Sequence, residues 1–277
     1  YPSFANPVSR EALALYMRFM YVPAPHSIYQ GIYKLEPGCV LSINGDLPPA
    51  PGMAPRPPLT SGGLSLQRWW ALGDAVLAGV QNPITDEVEA INTLEQRLAD
   101  AVRLQSLADV PLGAFLSGGV DSSAIVALMQ QQAMRPVKTF TVGFEEAGFD
   151  ESPHARAVAR HLGTEHSELF VTAAEAQAVI PALPDMYDEP FADSSQIPTH
   201  LVCKAARQQV TVALSGDAGD ELFGGYNRYF WGPRIWRRLA WMPAGARRAL
   251  GAAISAVPVA GWDALSRPVN ALLPAGK

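Results

Sequence analysis

The chain has 277 residues, of which 48% are hydrophobic, and a formal net charge of -5 with a pI near 5.5. This length allows a substantial buried core, and the acidic balance argues against nucleic acid as a principal partner. No run of about 18 apolar residues, no secretory signal pattern and no cysteine framework is present, so we expect a cytoplasmic location with Cys39 and Cys203 as structural thiols.

The first 45 residues combine a helical pattern over residues 10–20 with two strand-like runs, "SIYQGIYKL" and "CVLSI". A stretch rich in Pro and Gly follows, "GDLPPAPGMAPRPPLTSGG", whose composition excludes a helix or a central strand. We therefore predict a flexible linker over residues 46–83. The Ser-Gly-Gly at residues 61–63 is assigned to this linker, because prolines rather than an apolar strand precede it.

A different pattern begins near residue 84. Apolar residues recur at helical spacing behind a Thr-Asp-Glu start, at Val88, Ile91, Leu94, Leu98 and Val102. Helical patterns then alternate with the strand-like runs "PLGAFL", "VKTFTVGF", "HSELFVT" and "VTVALS". This alternation predicts an α/β fold, a parallel sheet with helices on both faces. After Tyr226 the pattern is helical, and we interpret "YNRYFWGPRIWRRL" as a helix whose arginines lie along aromatic side chains.

A second Ser-Gly-Gly lies in "FLSGGVDSS", residues 115–123, between an apolar strand and a helix. This places the loop at the carboxyl edge of the sheet and at a helix N-terminus, where unpaired amides favour an anion. The loop offers two glycines for close approach and three hydroxyl donors: Gly118, Gly119, Ser117, Ser122 and Ser123. The sequence therefore predicts a phosphate-binding loop here.

Asp121 stands near the place where a Walker loop carries its lysine. It either caps the helix or binds a Mg²⁺ ion that bridges to phosphate oxygens. A second turn, in "VALSGDAGDELFGGY", favours the metal role, since it carries Asp217, Asp220 and Glu221 after another apolar strand and would face the same sheet edge. A third acidic segment, "YDEPFADSSQIPTH", either shapes the pocket through residues 188 and 189 or pairs locally.

Five segments occur in the order "FLSGGVDSS", "TFTVGF...FDES", "HLGTEH", "DEPFADSSQIPT" and "LSGDAGDELFGGYNRY". Together they resemble the synthetase domain of glutamine-hydrolysing asparagine synthetases, in the PP-loop ATP pyrophosphatase superfamily. The resemblance is dense over residues 110–229. Residues 1–45 look like the tail of that family's N-terminal glutaminase domain, which would make residues 84–277 a C-terminally incomplete synthetase domain in a fragment of a longer chain.

The resemblance implies ATP and Mg²⁺, with aspartate and ammonia or glutamine as substrates and a homodimer as one possible assembly. It implies that the pyrophosphate is held by Ser117, Gly118, Gly119, Asp121 and Ser122. It implies that the nucleotide is lined by Leu116, Val142, Ser215 and Gly216, and that Mg²⁺ is held by Asp121 and Asp220. Aspartate would attack the ATP α-phosphate to give β-aspartyl-AMP, which ammonia would convert to asparagine.

Asp217 is the catalytic residue that the resemblance implies, although many family members carry Glu there. The glutaminase nucleophile, an N-terminal Cys, is absent, since residue 1 is Tyr. The family's downstream basic segment is absent too, so this piece is expected to lack glutamine hydrolysis and to be inactive alone. Two alternatives stay open: a β-lactam synthetase-like amidating or cyclising enzyme, and a nucleotide-binding module without turnover.

Overall fold

The computed structural model describes residues 5–45, 54–144, 150–258 and 261–262. Residues 46–53 of the predicted linker and 263–277 of the predicted synthetase domain lie outside them. The strands are β1 (Cys39–Ile43), β2 (Leu59–Ser61), β3 (Leu64–Arg68), β4 (Leu112–Phe115), β5 (Lys138–Phe144), β6 (Glu165–Val171) and β7 (Val212–Leu214). The helices are α1 (Arg10–Phe19), α2 (Leu72–Gln81), α3 (Glu87–Gln105), α4 (Val120–Gln132), α5 (Ser152–Leu162), α6 (Ala173–Val179), α7 (Leu183–Met186), α8 (Gln196–Ala206), α9 (Gly219–Phe223), α10 (Asn227–Leu239) and α11 (Ala244–Ala256), with a 3-10 turn at Ile180–Ala182.

The chain packs as two compact units. The first comprises the described residues of Tyr1–Leu107 and Val171–Gln209, and the second those of Ala108–Phe170 and Val210–Lys277. The predicted domain boundaries after residues 45 and 83 do not coincide with this division and stay a prediction. Among the described residues, no helix is both long enough and apolar enough to cross a membrane.

The first unit contains an antiparallel sheet in which β3 lies between β1 and β2. Leu66 pairs with Leu41 on one side and Leu59 on the other, and it is buried. The prediction of a flexible linker is therefore wrong for residues 59–68, which form a β-hairpin with Gly62 at a φ of +56° in its turn. A short alternation of apolar and polar residues is present there, but the prolines upstream led to the prediction of a linker. Helix α2 also lies within the predicted linker.

The N-terminal helix α1 has the predicted position. Its N-terminus is capped by the Ser9 hydroxyl, which accepts a hydrogen bond from the amide of Ala12 at 3.2 Å. Ala12, Val22 and Ile28 form a small buried cluster beneath it. The run "SIYQGIYKL", predicted as strand-like, forms only isolated bridges in the described part of the chain.

The segment that follows α7 is attached to the N-terminal residues within the first unit. Glu189 accepts a hydrogen bond from the amide of Ile28 at 3.1 Å and forms an ion pair with Lys34, whose ammonium also donates to the carbonyl of Val22. The amide of Ala192 donates to the carbonyl of Met20 at 2.9 Å. Glu189 therefore pairs with residues 155 and 161 positions earlier in the chain, and the predicted local pairing is wrong.

The second unit contains the parallel sheet that the sequence predicts. Within the described residues it has four strands in the order β6-β5-β4-β7, and β4 pairs in parallel with both β5 and β7. Buried apolar residues fill β4, β5 and the helices that follow them, namely Ala114, Leu116, Val126, Met129, Phe140, Ala155 and Ala159. Near-continuous apolar runs of this kind are typical of parallel strands that are buried on both faces.

Candidate active site

The topology of the parallel sheet selects one place for a ligand. From β4 the chain proceeds outward to β5 and β6, and then returns to place β7 on the other side of β4. The strand order therefore reverses between β4 and β7. In open α/β sheets, ligands bind outside the carboxyl ends of the strands at such a switch point. The two turns singled out in the sequence, at residues 117–119 and 215–218, follow these two strands.

The first turn is organised by its own serines. The hydroxyls of Ser117 and Ser122 lie 2.9 Å apart, and the Ser122 hydroxyl also accepts a hydrogen bond from the amide of Ser117 at 3.2 Å. The amide of Gly119 donates to the Ser117 hydroxyl at 3.2 Å. The loop is thus held in shape before any ligand binds, with the first turn of α4 directly behind it. Amides in a first helical turn have no partner within their own helix.

Two of the sequence expectations about hydroxyl donors need correction. The Ser123 hydroxyl is buried and has no hydrogen-bond partner among the described residues, so it is not exposed as a donor for a ligand. Ser122 is also buried, and its hydroxyl is engaged by the loop backbone and Ser117. Ser122 therefore shapes the loop more than it presents a free donor. The predicted contact of Ser122 with pyrophosphate stays a prediction.

Gly118 is the residue of the first turn that no other amino acid can replace without strain. Its φ is +83°, and a Cβ added to it would lie 2.6 Å from the amide nitrogen of Ala155 and 2.7 Å from Cβ of His154. The positive φ and the close approach both require glycine. The predicted phosphate-binding loop therefore packs directly against the first turn of α5.

The second turn packs onto the first through two glycines. A Cβ on Gly216 would lie 2.6 Å from the amide nitrogen of Ser122, and a Cβ on Gly219 would lie 2.3 Å from Cγ of Asp121. Contacts below 3.0 Å leave no space for a side chain at either position. Two turns that are far apart in the sequence thus meet at the start of α4. The sequence analysis did not identify Gly219, and only its position beside Asp220 could have suggested it.

Asp217 lies on the exposed side of the second turn. Its Oδ2 accepts a hydrogen bond from the Ser215 hydroxyl at 2.9 Å, and the Ser215 hydroxyl accepts one from the amide of Asp217 at 3.4 Å. The next residue, Ala218, has a φ of +72°, which is unusual for a residue other than glycine. The turn thus fixes the Asp217 carboxylate toward solvent, where an incoming substrate can reach it.

The predicted metal ligands come from the two converging turns. The Asp121 carboxylate lies against Gly219, and the next residue is Asp220, whose Oδ1 lies where a Cβ on Gly225 would be. Both side chains are partly buried, and both offer carboxylate oxygens, the donors that Mg²⁺ prefers. The chemistry of these donors therefore fits Mg²⁺, and the binding of one ion by both Asp121 and Asp220 stays a prediction. Among the described residues, no group of three or more His, Cys, Asp or Glu side chains is arranged as a metal site, so remaining ligands would come from phosphate or water.

The residues predicted to line the nucleotide are placed by β4, β5 and β7. Leu116 directly follows β4 and is buried in the core, with 1% of the residue exposed, so its contact with a nucleotide stays a prediction. Val142 is partly buried within β5, near the same edge. Ser215 and Gly216 follow β7. All four residues belong to the second unit, together with the phosphate-binding loop.

A polar network that the sequence analysis missed lies beside this sheet edge. Asp150 accepts a hydrogen bond from the amide of Ser152 at 3.0 Å, and hydrogen bonds from Ser152 lower the pKa of its carboxyl. Arg156 donates to both carboxylate oxygens of Glu168, and these hydrogen bonds lower the pKa of Glu168. The sequence signal for this network was Asp150, which stands two residues before the Ser-Pro pair that begins α5. The network fixes the start of α5, against which Gly118 packs.

His166 adjoins this network through Glu168. Its Nδ1 is 2.9 Å from the hydroxyl of Thr139, and that hydroxyl is 3.0 Å from the hydroxyl of Thr164. Its Nε2 is buried, has no hydrogen-bond partner among the described residues, and lies 3.7 Å from Oε1 of Glu168. Burial lowers the pKa of His166, although Glu168 acts in the opposite direction. The imidazole is therefore held in its neutral form.

Known proteins resemble this chain in sequence. The model of the asparagine synthase family matches residues 93–273. The chain is 34% identical over 229 residues to a putative glutamine-hydrolyzing asparagine synthetase 2 of Methanocaldococcus jannaschii, covering 82% of this chain and 40% of that protein. It is 35% identical over 223 residues to the glutamine-hydrolyzing asparagine synthetase 1 of Bacillus subtilis, covering 80% and 32% respectively. It thus spans about two fifths or less of the length of these relatives.

Among solved structures, the chain is similar to an NH3-dependent NAD synthetase from Campylobacter jejuni and to an NMN synthetase from Francisella tularensis. Both similarities have a TM-score of 0.36 and 15% sequence identity. The first covers 49% of this chain and 60% of the other, and the second covers 50% and 59%. Similarities of this extent add nothing to the assignment that the sequence relatives support.

Proposed function

Because the chain belongs to the asparagine synthase family, we propose that the protein converts aspartate to asparagine at the expense of ATP. The side-chain carboxylate of aspartate attacks the α-phosphate of ATP, and pyrophosphate leaves with the electrons of the broken P–O bond. Ammonia then attacks the acyl carbon of β-aspartyl-AMP, loses a proton and releases AMP. In the full-length protein, the ammonia would come from glutamine.

The observation that carries this proposal is the convergence of the two turns at the switch point of the sheet. Gly216 packs on the backbone of Ser122, and Gly219 packs on the carboxylate of Asp121. A polyphosphate at the start of α4 would meet backbone amides and the helix dipole from the first turn. The second turn would place the Asp217 carboxylate next to the same ligand. Phosphoanhydride chemistry needs this combination of orientation and charge stabilisation.

The roles of the remaining predicted residues follow from their positions. We propose that the loop that begins at Ser117 holds the pyrophosphate with Gly118 and Gly119, while Leu116, Val142, Ser215 and Gly216 line the nucleotide. Asp217 would assist the adenylated intermediate or the attack by ammonia. Its fixed orientation by Ser215 supports that role, since a mobile carboxylate would lose alignment with the acyl carbon.

We propose Asp121 and Asp220 as the protein ligands of Mg²⁺. Bound there, the ion would neutralise charge on the departing pyrophosphate. The residues of this chain would contribute by holding two carboxylates at the start of α4 and in α9. We place the reaction in the cytoplasm, where ATP and aspartate are available, and the predicted homodimer stays a prediction.

The proposal is tested by incubating the full-length protein that contains this chain with MgATP, ammonium and one carboxylate at a time, while pyrophosphate is measured and products are identified by mass. Asparagine together with AMP and pyrophosphate is the expected result with aspartate, and glutamate serves as the matched control. Turnover only with an amine-bearing carboxylate that can close a ring would replace this function by a cyclising one. Binding of MgATP without pyrophosphate release under all conditions would instead indicate a nucleotide-binding module.

A further inference from the structure

The helix that carries Asp220 is too short to hold its own shape. Helix α9 has five residues, and it is bounded by Ala218 at a φ of +72° and Gly224 at a φ of +71°. Helix nucleation is unfavourable, and one turn in isolation does not persist in water. Some contact outside α9 must therefore fix the direction in which the Asp220 carboxylate points.

That contact comes from the residues that follow α9. The amide of Gly225 donates to the carbonyl of Asp220 at 3.0 Å, and a Cβ on Gly225 would lie 1.9 Å from Oδ1 of Asp220. The phenol of Tyr226 donates a hydrogen bond to Oε1 of Glu221 at 2.7 Å. Two consecutive residues, Gly225 and Tyr226, thus contact the two consecutive acids of α9.

The ring of Tyr226 is itself held in place. The guanidinium carbon of Arg228 lies 4.1 Å from the centroid of the ring, and the ring of Tyr229 lies 5.9 Å from it, centroid to centroid. Stacking of a guanidinium on an aromatic face is favourable and restricts rotation of the ring. The hydrogen bond to Glu221 raises the pKa of Tyr226, and the charge of Asp220 acts in the same direction. The phenol therefore stays protonated and remains a donor.

We propose that Tyr226 is a positioning residue for the metal ligand Asp220. Its hydrogen bond to Glu221 holds α9 in the orientation in which Asp220 meets the divalent ion that accompanies ATP. Tyr226 acts through Glu221 and contacts neither the ion nor the substrate. The inference rests on the proposed function for the presence of a nucleotide-bound divalent ion, and it assigns Tyr226 a role in affinity for that ion.

The test uses the full chain and Mn²⁺ as a paramagnetic probe, titrated with ATP present and followed by electron paramagnetic resonance. Tyr226→Phe keeps the ring and its stacking but removes the donor, so it should weaken ATP-dependent Mn²⁺ binding about five- to tenfold with an unchanged melting temperature. The matched control is Tyr229→Phe, whose hydroxyl has no hydrogen-bond partner in the described ranges. Its Mn²⁺ affinity should equal that of the wild type.

A double-mutant cycle identifies the path of the effect. Glu221→Gln retains an acceptor, so it should weaken Mn²⁺ binding less than Tyr226→Phe does, and combining both changes should cost no more than Tyr226→Phe alone. Wild-type affinity in Tyr226→Phe, or additive losses in the double variant, would overturn the inference. Wild-type Mn²⁺ binding with no pyrophosphate release would remove the proposed function and leave this inference standing. No ATP-dependent Mn²⁺ binding in the wild type would overturn both.

Discussion

The Asp121 carboxylate occupies the space that a side chain at residue 219 would need. A Cβ on Gly219 would lie 2.3 Å from Cγ and 2.5 Å from Oδ2 of Asp121. Asp121 lies in the first turn of α4 after strand β4, and Gly219 begins α9 after strand β7. The absence of a side chain at Gly219 therefore determines how closely the two turns of the candidate active site approach each other.

Replacing Gly219 with alanine should move the Asp121 carboxylate away from its position. Because a displacement of about 1 Å in a reacting constellation can cost about 100-fold in rate, pyrophosphate release should fall by about that factor. The control is Gly251→Ala in α11, where an added Cβ meets no atom within 4 Å. Alanine there should preserve the rate. Equal rates for both variants would show that the contact at Gly219 does not position Asp121.

Asp121→Asn should remove charge without removing volume. The amide keeps the contact with Gly219 but is a poorer ligand for Mg²⁺. We expect pyrophosphate release to fall about 100-fold or more, while the melting temperature stays within about 2 °C of the wild-type value. Asp74→Asn in the first turn of α2, which belongs to the other unit, serves as the control. Normal activity of Asp121→Asn would indicate that Asp121 only caps helix α4.

Asp217→Asn should separate the two chemical stages. Asp217 is exposed and held by Ser215 rather than by the phosphate-binding loop, so nucleotide binding should be retained. Formation of asparagine from aspartate and ammonia should fall about 100-fold, as measured by product mass against bound ATP. Ser215→Ala should cause a smaller loss, because it frees the carboxylate without removing it. An unchanged rate of asparagine formation in Asp217→Asn would contradict the catalytic role.

The two Ser-Gly-Gly segments should respond differently to the same substitution. Ser117→Ala removes the hydroxyl that contacts Ser122 and the amide of Gly119, so ATP affinity should fall about tenfold. Ser61 lies at the exposed end of a hairpin strand, so Ser61→Ala should leave ATP affinity unchanged. Equilibrium binding of ATP measures both. A large loss from Ser61→Ala would mean that the wrong glycine pair had been assigned to the phosphate.

The stability of the second unit should fall as the pH falls below about 6.5. Burial lowers the folded-state pKa of His166, so the unfolded chain binds more protons than the folded chain between the folded pKa and the unfolded value. The contribution of neutral His166 is therefore present above that pH and is lost progressively below it. His166→Asn keeps a polar contact with Thr139 but does not titrate. Its melting temperature should vary less between pH 7 and pH 5, and identical slopes would contradict this assignment.

The sequence predicted the second half of the fold well because its elements have simple causes. The helical pattern between the second and third predicted strands is α5, and each predicted strand of the parallel sheet is present within a few residues. Continuous apolar runs separated by amphipathic helices leave few alternatives. The hairpin of β2 and β3 was missed because its strands are short and follow a run of prolines. In that stretch, the Pro and Gly content favours a linker, whereas the alternation of apolar and polar residues favours a strand.

The candidate site could be predicted only in its local parts. The positions of Ser117 and Asp121 follow from a strand-loop-helix pattern, and parallel pairing predicts that the turn after β7 lies at the same edge. Gly216 and Gly219 leave no space for a side chain because segments far apart in the sequence pack against each other there. No local sequence pattern reports such packing. The burial of the Ser123 hydroxyl and the hydrogen bond from Tyr226 to Glu221 also depend on the folded backbone.

The pairing of Glu189 with Lys34 bears on how the chain can be shortened. A version that starts at residue 84 would retain the complete phosphate-binding loop but would lack both Lys34 and the amide of Ile28. Glu189 is largely buried, with 21% of its side chain exposed, and it would lose the groups that compensate its charge. Residues 22–34 thus supply the groups that pair with the Glu189 carboxylate. A chain trimmed at the predicted domain border would lack them.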